Sequence, residues 1–329
     1  MKALFIGGTG QISTACARRA LVCGIEVTLL NRGRTSQRPI PDGARVLHAD
    51  VRHADAVRAA LGSEAFDVVA NFVAFTPEHV ETDLELFAGR VGQYVFISSA
   101  SAYQTPPLRL PITESTPLRN PIWPYSQAKI ACEDRLVRAY REDGFPVTIV
   151  RPSHTYDRTH APYDPGWTLI ERMRHGRPVV VHGDGTSLWT LTHADDFAKA
   201  FVGLVGNPQA IGDSFHITSD ESLTWNQIHE ILAAAAGTEA RIVHVPSETI
   251  LRHDEEWGRS LLGDKAHSMV FDNTKVRRLV PDYVATIPFA RGAREIVDWH
   301  DADPARREVD PRVDELIDRL VDAHAPVAG

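Results

Sequence analysis

The sequence predicts an α/β fold built on a doubly wound parallel sheet, and three observations carry that expectation. Short apolar runs of strand type alternate with helix-like stretches through the first half of the chain. The first run, Ala3-Leu4-Phe5-Ile6, leads at once into Gly7-Gly8-Thr9-Gly10 and a helical pattern that Gly24 stops. Beyond Ile217 the alternation loosens and helical patterns dominate, which predicts a smaller, mixed and mainly helical lobe.

The first run is bounded by glycine and is too short for a buried helix. Strand, glycine turn and helix in this order turn backbone N–H groups and the positive end of a helix toward a pyrophosphate. Gly7, Thr9, Gly10, Gln11 and Ile12 are therefore candidate dinucleotide-binding residues. Ser13 takes the place of a third glycine and is small enough for close helix–strand packing. The strand Glu26 to Leu30 completes the unit and ends in Asn31-Arg32-Gly33-Arg34. An acidic residue there would hold the ribose 2′-hydroxyl of NAD; Arg32 and Arg34 suit a 2′-phosphate instead, or form a solvated basic loop. NAD or NADP is expected, with a lean to NADP.

The third strand, Ala44 to His48, leads to Asp50-Val51, a candidate clamp on the adenine. A helix over 54–61 and a buried-type strand, Asp67 to Phe72, follow. Phe72, Val73 and Ala74 lie at that strand's carboxyl end, where open α/β sheets bind ligands. After a short helix over 77–87, the strand Gln93 to Ile97 runs into Ser98-Ser99.

Tyr125 and Lys129 share a helix face at a spacing of four, behind Pro124 in the first turn. A phenol is a poor base near neutral pH, and a neighbouring ammonium lowers its pKa. With Ser99 to hold a substrate oxygen, the three residues suit alcohol–ketone interconversion. An isolated pair of this kind is more often a surface pair; the dinucleotide turn in the same chain shifts the balance.

Composition bounds the function classes. A chain of 329 residues, 43% of them hydrophobic, builds one large or two intimate domains. A formal charge of −8 counts against broad nucleic-acid binding. Cys16, Cys23 and Cys132 have no metal-ligand spacing and read as packing residues of a reducing compartment, and no metal site is expected. Met1-Lys2 and the run after it have neither signal-peptide layout nor spanning length, so a soluble cytoplasmic protein without membrane partners is expected.

Gly7 to Gly10, Asp50-Val51, Ser98 to Tyr103, Tyr125 to Lys129, Arg151 to Tyr156, His182 to Gly185 and His193 to Asp196 form an ordered set. Taken together, they resemble the extended short-chain dehydrogenase/reductases, in particular the NAD-dependent epimerase/dehydratase branch. That resemblance implies a Rossmann-type domain with a smaller substrate lobe. It also implies that Ser99 orients the substrate oxygen, Tyr125 is the acid/base and Lys129 binds the nicotinamide ribose. The expected division is 1–152 with 193–218 for the dinucleotide and 153–192 with 219–329 for the substrate. A homodimer through the helix bearing Tyr125 is expected by analogy.

Three departures narrow the substrate. Ala100-Ser101 stands where family dehydratases acting on sugar nucleotides carry an Asp-Glu pair, which disfavours 4,6-dehydration. Trp189 stands where family members commonly place an arginine on the diphosphate. Arg172, Arg174 and Arg177 are possible substitutes but read as solvated, so a nucleoside, free sugar or polyol fits as well as a nucleotide sugar. The span from Phe75 to Gln93 is short, and the asparagine that relatives carry there has no counterpart.

Ser101, Trp123, His154 and Trp189 are candidate substrate contacts, and Pro152 and His154 are placed beside the nicotinamide. His154 is positioned for a second acid/base role, against the commoner structural role of a lone histidine. The leading expectation is an NAD(P)-dependent epimerase acting on a sugar-like carbinol by transient oxidation and hydride return. The alternative is a reductase or dehydrogenase with net redox turnover. A third is a non-catalytic nucleotide-sensing or RNA-associated relative, against which the intact Ser99, Tyr125 and Lys129 count.

Overall fold

A computed structural model of the protein describes residues 1–33, 38–163 and 165–324. The chain opens with β1 (Lys2–Ile6), α1 (Gln11–Val22), β2 (Glu26–Asn31), β3 (Arg45–His48) and α2 (Ala54–Leu61). Next come β4 (Phe66–Asn71), α3 (Pro77–Phe87), β5 (Val91–Ile97), α4 (Pro124–Asp143) and β6 (Val147–Pro152). The middle holds β7 (His154–Tyr156), α5 (Trp167–Arg174), β8 (Val179–His182), β9 (Leu188–Trp189), β10 (Leu191–His193), α6 (Ala194–Leu204) and β11 (Ser214–Ile217). The last part comprises β12 (Leu223–Thr224), α7 (Trp225–Ala235), β13 (Ile242–Val245), α8 (Ser247–His253), α9 (Glu255–Ser260), α10 (Thr274–Leu279), α11 (Phe289–Asp301) and α12 (Pro311–His324).

Among the described residues seven strands form one sheet in the order β3-β2-β1-β4-β5-β6-β11. Every pairing in it is parallel. Order reverses between β1 and β4, and that crevice at the carboxyl ends is where such sheets take ligands. Parallel strands are covered on both faces, so their interiors read as continuous apolar runs. One covering layer pairs α1 with α6, and Phe5, Phe72 and Phe201 cluster beneath it, Phe201 edge-on to Phe5. On the other side Val57, Leu84 and Leu136, from α2, α3 and α4, close over Leu4, Val69 and Phe96.

A third apolar core gathers Trp167, Trp189, Trp225, Phe289 and Ile317 with the parallel pair β8–β13. The basic cluster of α5 is not solvated as expected. Arg172, with a side chain only 1% exposed, donates to Asp314 at 2.6 Å and Asp318 at 2.8 Å. Arg177 reaches the same two carboxylates, and Arg174 pairs with Asp301. These three guanidiniums are committed to α11 and α12. Among the described residues no helix is long and apolar enough to cross a membrane.

Candidate active site

The glycine turn is shaped by what a side chain there would strike. Gly7 adopts φ +77°, and a Cβ on it would lie 2.4 Å from a methyl of Val73. A Cβ on Gly8 would lie 2.5 Å from Leu29. Ser13, in place of a third glycine, ties the turn: its hydroxyl donates to Gly7 O at 2.7 Å and accepts from Gly10 N–H at 2.8 Å. Gln11 and Ile12 then begin α1, whose first-turn amides have no intrahelical acceptor.

Beside this turn lies a cavity of about 510 Å³ lined by Gly7, Thr9, Gly10, Asn31, Arg32, Asp50, Val51 and Val73, together with Arg38 and Arg52. The oxygen of the Asn31 side chain is buried there with no partner among the described residues. An acceptor so placed suits a ribose hydroxyl. Asp50 accepts from the Arg52 N–H, which, with Arg32 nearby, holds its carboxyl below the usual range. Arg52 itself donates to Val73 O at 2.5 Å. Lining, glycine cradle and orphaned acceptor fit a dinucleotide. Arg34, one of the two arginines read for a 2′-phosphate, lies outside the described residues.

A second cavity, of about 390 Å³, adjoins α1. Gln11, Ile12 and Phe72 meet Ser99, Ser101, Trp123, Tyr125, Lys129, Pro152, His154 and Trp189 around it. Proline at the start of α4 sets the helix running from Pro124, so Tyr125 and Lys129 face β5 one turn apart. The Tyr125 hydroxyl hydrogen-bonds Ser99, and burial pushes the phenol up to about 12. Ser99 in turn shares a 2.8 Å hydrogen bond with Ser101, which accepts from Ser126 at 2.7 Å. Ser98 is turned away from this row and donates to Glu133, itself paired with Arg151.

Lys129 differs from the expected arrangement. Its ammonium donates to Ala74 O and Ile97 O, each at 2.7 Å, and sits 5.9 Å from the centre of the Tyr125 ring. Burial lowers it to about 8. Expected to lower the phenol's pKa, the ammonium is instead held by two carbonyls, and desolvation governs Tyr125. Ala74, taken as a cofactor contact, is fully buried and serves as one of those carbonyl anchors.

His154 is held neutral, with a pKa lowered to about 3 by burial and by the charges of Lys265 and His160. That argues against the second acid/base role expected of it and leaves a wall residue whose ring faces Trp189 at 6.3 Å. Trp189 is 3% exposed, with an indole N–H that has no partner among the described residues. Trp123 packs on Tyr125 with ring centres 5.0 Å apart.

Sequence reasoning missed two groups on this wall. Asp264 and Lys265 end a π-helical turn, Leu261–Lys265, and both line the cavity. The stretch read as helical cover, and no spacing or motif in it signalled a site. Arg52 and Arg38 were also missed; Arg38 bridges to Asp157 at 2.6 Å across the cleft.

The profile of the NAD dependent epimerase/dehydratase family matches residues 3–218. The chain is 27% identical over 287 residues to 2′-dehydrokanamycin reductase of Streptomyces kanamyceticus, covering 86% of this chain and 80% of that protein. It is 30% identical over 258 residues to the chloroplast stem-loop binding protein of 41 kDa b of Arabidopsis thaliana, covering 74% of this chain and 65% of that one. The fold superposes on UDP-glucose 4-epimerase from Bifidobacterium longum, solved with NAD+ and UDP, with a TM-score of 0.74. Identity there is 18%, over 92% of this chain and 99% of the other. By the glycine cradle, the sheet order and the matched profile together, the chain belongs to the NAD-dependent epimerase/dehydratase family.

Proposed function

We propose that this protein is a nicotinamide-dependent reductase of a ketone on a sugar-like substrate that carries no nucleotide diphosphate. The observation that carries the reading is the Tyr125 phenol, hydrogen-bonded to Ser99 in the cleft and protonated at neutral pH. A phenol in that state is an acid. Ser99 and Tyr125 would hold the carbonyl oxygen between them, and Tyr125 would give its proton as that oxygen gains charge. The bound nicotinamide supplies the hydride. Lys129, 1% exposed, positions the wall on which the coenzyme's ribose would lie.

The lack of a diphosphate grip rests on three commitments. Trp189 replaces the expected arginine, and Arg172, Arg174 and Arg177 are all engaged with the C-terminal helices. An epimerase must also keep hold of its ketone while the opposite face turns to the hydride, and among the described residues no arginine lines the cleft to hold it by a diphosphate. Arg32, with no acidic residue at the end of β2, favours NADP over NAD. Similarity to a 2′-dehydrokanamycin reductase supports the reductase reading.

Epimerisation by transient oxidation and hydride return is the second reading, favoured by the family to which the chain belongs. Residues 1–152 with 193–218 would then hold the coenzyme, and 153–192 with 219–329 the substrate. Purified protein mixed with NADPH and pooled keto sugars, and in parallel with NADP+ and the corresponding hydroxy sugars, separates the two. Sustained loss of the reduced-nicotinamide absorbance supports the reductase, whereas retained coenzyme and interconverted sugars without net absorbance change support the epimerase. Full activity in Tyr125→Phe would remove both and favour a binding role.

A further inference from the structure

Asp264 and Lys265 are the charged groups that the C-terminal part of the chain sends into the substrate cavity. They stand at the end of a π-helical turn, a local distortion often found at functional sites. Asp264 is 7% exposed and Lys265 4%. Buried carboxylates normally have hydrogen-bond donors. Among the described residues none donates to the Asp264 carboxylate, and Lys265, its neighbour, does not approach it as an ion pair. Instead the Lys265 ammonium lies 5.1 Å from the centre of the Trp123 ring.

The backbone explains why the pair is held there. Lys265 O accepts from the Trp225 indole N–H at 3.1 Å, the Ser187 hydroxyl at 3.1 Å and His182 Nε2 at 3.0 Å. Gly263 lets the turn pack against Trp123: a Cβ there would lie 2.6 Å from the Trp123 Cβ. Asn120 donates to Gly263 O at 2.6 Å and to Ser101 O at 3.1 Å, joining this turn to the serine row behind Ser99. Asp264 and Tyr125 line the same cavity, and the carboxylate's charge adds to the burial that raises the phenol.

We infer that Asp264, with Lys265, is the specificity-determining pair of this cleft. It recognises a hydrogen-bond donor, hydroxyl or ammonium, on a sugar ring next to the carbon that reacts, while Trp123 and Trp189 cover the ring. The inference rests on the reductase or epimerase reading of the same cleft and names its substrate class: free or amino sugars rather than nucleotide sugars. A carboxylate without a donor is incomplete by itself, and a polyhydroxylated ring supplies what it lacks. An anionic sugar would instead meet Lys265 but be repelled by Asp264. Burial holds the Asp264 carboxyl up at about 7, so an ammonium on the ligand would favour its ionised form.

The test uses the full chain saturated with NADP+ and measures binding of D-glucose, D-glucosamine and UDP-glucose by calorimetry, in wild type, Asp264→Asn and Lys265→Met. Coenzyme affinity, read from NADPH fluorescence, is expected to be the same in all three. Binding of either free sugar to wild type, weakened at least about 10-fold in Asp264→Asn, supports the inference. A loss confined to glucosamine identifies an ammonium as the donor, and an equal loss for both sugars identifies a hydroxyl. Free-sugar binding unchanged by Asp264→Asn overturns it, as does preference for UDP-glucose or failure of both free sugars to bind at tens of millimolar. Loss of NADPH binding in wild type would instead strike the underlying enzyme reading.

Discussion

Tyr125 and Lys129 titrate in the reverse of the order their ordinary values would give. The phenol is pushed up to about 12 and the ammonium down to about 8, both chiefly by burial. In the reductive direction Tyr125 is therefore in its acid form throughout the physiological range. Of these two, Lys129 changes first as pH rises: it is charged below about 8 and neutral above. Reductive kcat/KM is expected to rise through about pH 7 as the Asp264 carboxyl ionises and to fall above about 8 as Lys129 loses its charge. Lys129→Met should be slower throughout, by about 100-fold or more, and lack that alkaline limb. A limb that persists in Lys129→Met would assign it to another group. The sequence made the Tyr–Lys pair visible through its spacing, but not the carbonyls of Ala74 and Ile97 that take up the ammonium, because those come from the loop after β4 and the end of β5.

The elements most legible in the sequence were those with punctuated ends. The helices over 54–61 and 77–87 have the expected limits, the first closed by Gly62 and the second opened by Pro77. Thr224 and Gln227, a Thr-x-x-Gln in the sequence, form a capping box at the start of α7. The π-helical turn had no such marks: its buried Asp264 and Lys265 look like surface residues until the fold surrounds them. Gly7 is the tightest point of the first turn. Gly7→Ala would force an L side chain into positive φ, at about 1–2 kcal/mol, and against Val73. Its expected outcome is a lower unfolding midpoint and loss of NADPH binding in a fluorescence titration.

In α3 the Asp83 carboxylate accepts from Asn71, at the end of β4, at 2.6 Å and from Tyr94 at 2.5 Å, while its other oxygen is buried without a partner among the described residues. Burial raises its pKa to about 6. Above that value the native state carries a buried charge that the unfolded chain would solvate; between about 6 and the unfolded value near 4 the native state takes up the proton first. Its cost is thus complete above pH 6 and disappears as pH falls through that window. Asp83→Asn is expected to be more stable than wild type at pH 7.5, by on the order of 2–3 kcal/mol, with the gap closing toward pH 4. Urea unfolding at the two pH values decides it; a pH-independent difference would mean that the charge is not the cause.

Across the molecule, the C-terminal helix is fastened to α5 and the turn after it by Arg172 and Arg177 over a separation of some 140 residues in sequence. The basic run was visible in the sequence, but nothing local showed which carboxylates it would meet. Arg172→Ala leaves Asp314 and Asp318 partly unpaired beside a buried gap and is expected to cost about 3–5 kcal/mol. Limited proteolysis should then cut first near α12, and a cleavage pattern like that of wild type would count against this role.

Two links across the cleft have a kinetic consequence. Gln11, at the start of α1, donates to Thr155 O at 2.6 Å, and Arg38 reaches Asp157, so β7 is moored at both sides to the segments that frame the coenzyme. The partition bearing His154 is therefore completed from the coenzyme's side. On the proposed reductase reading, compulsory-order addition is expected: the dinucleotide enters first, the sugar follows, and the oxidised coenzyme departs last. Product inhibition by NADP+ competitive with NADPH alone is the signature of that sequence of events, and random-order patterns would show the moorings to be ornamental to turnover.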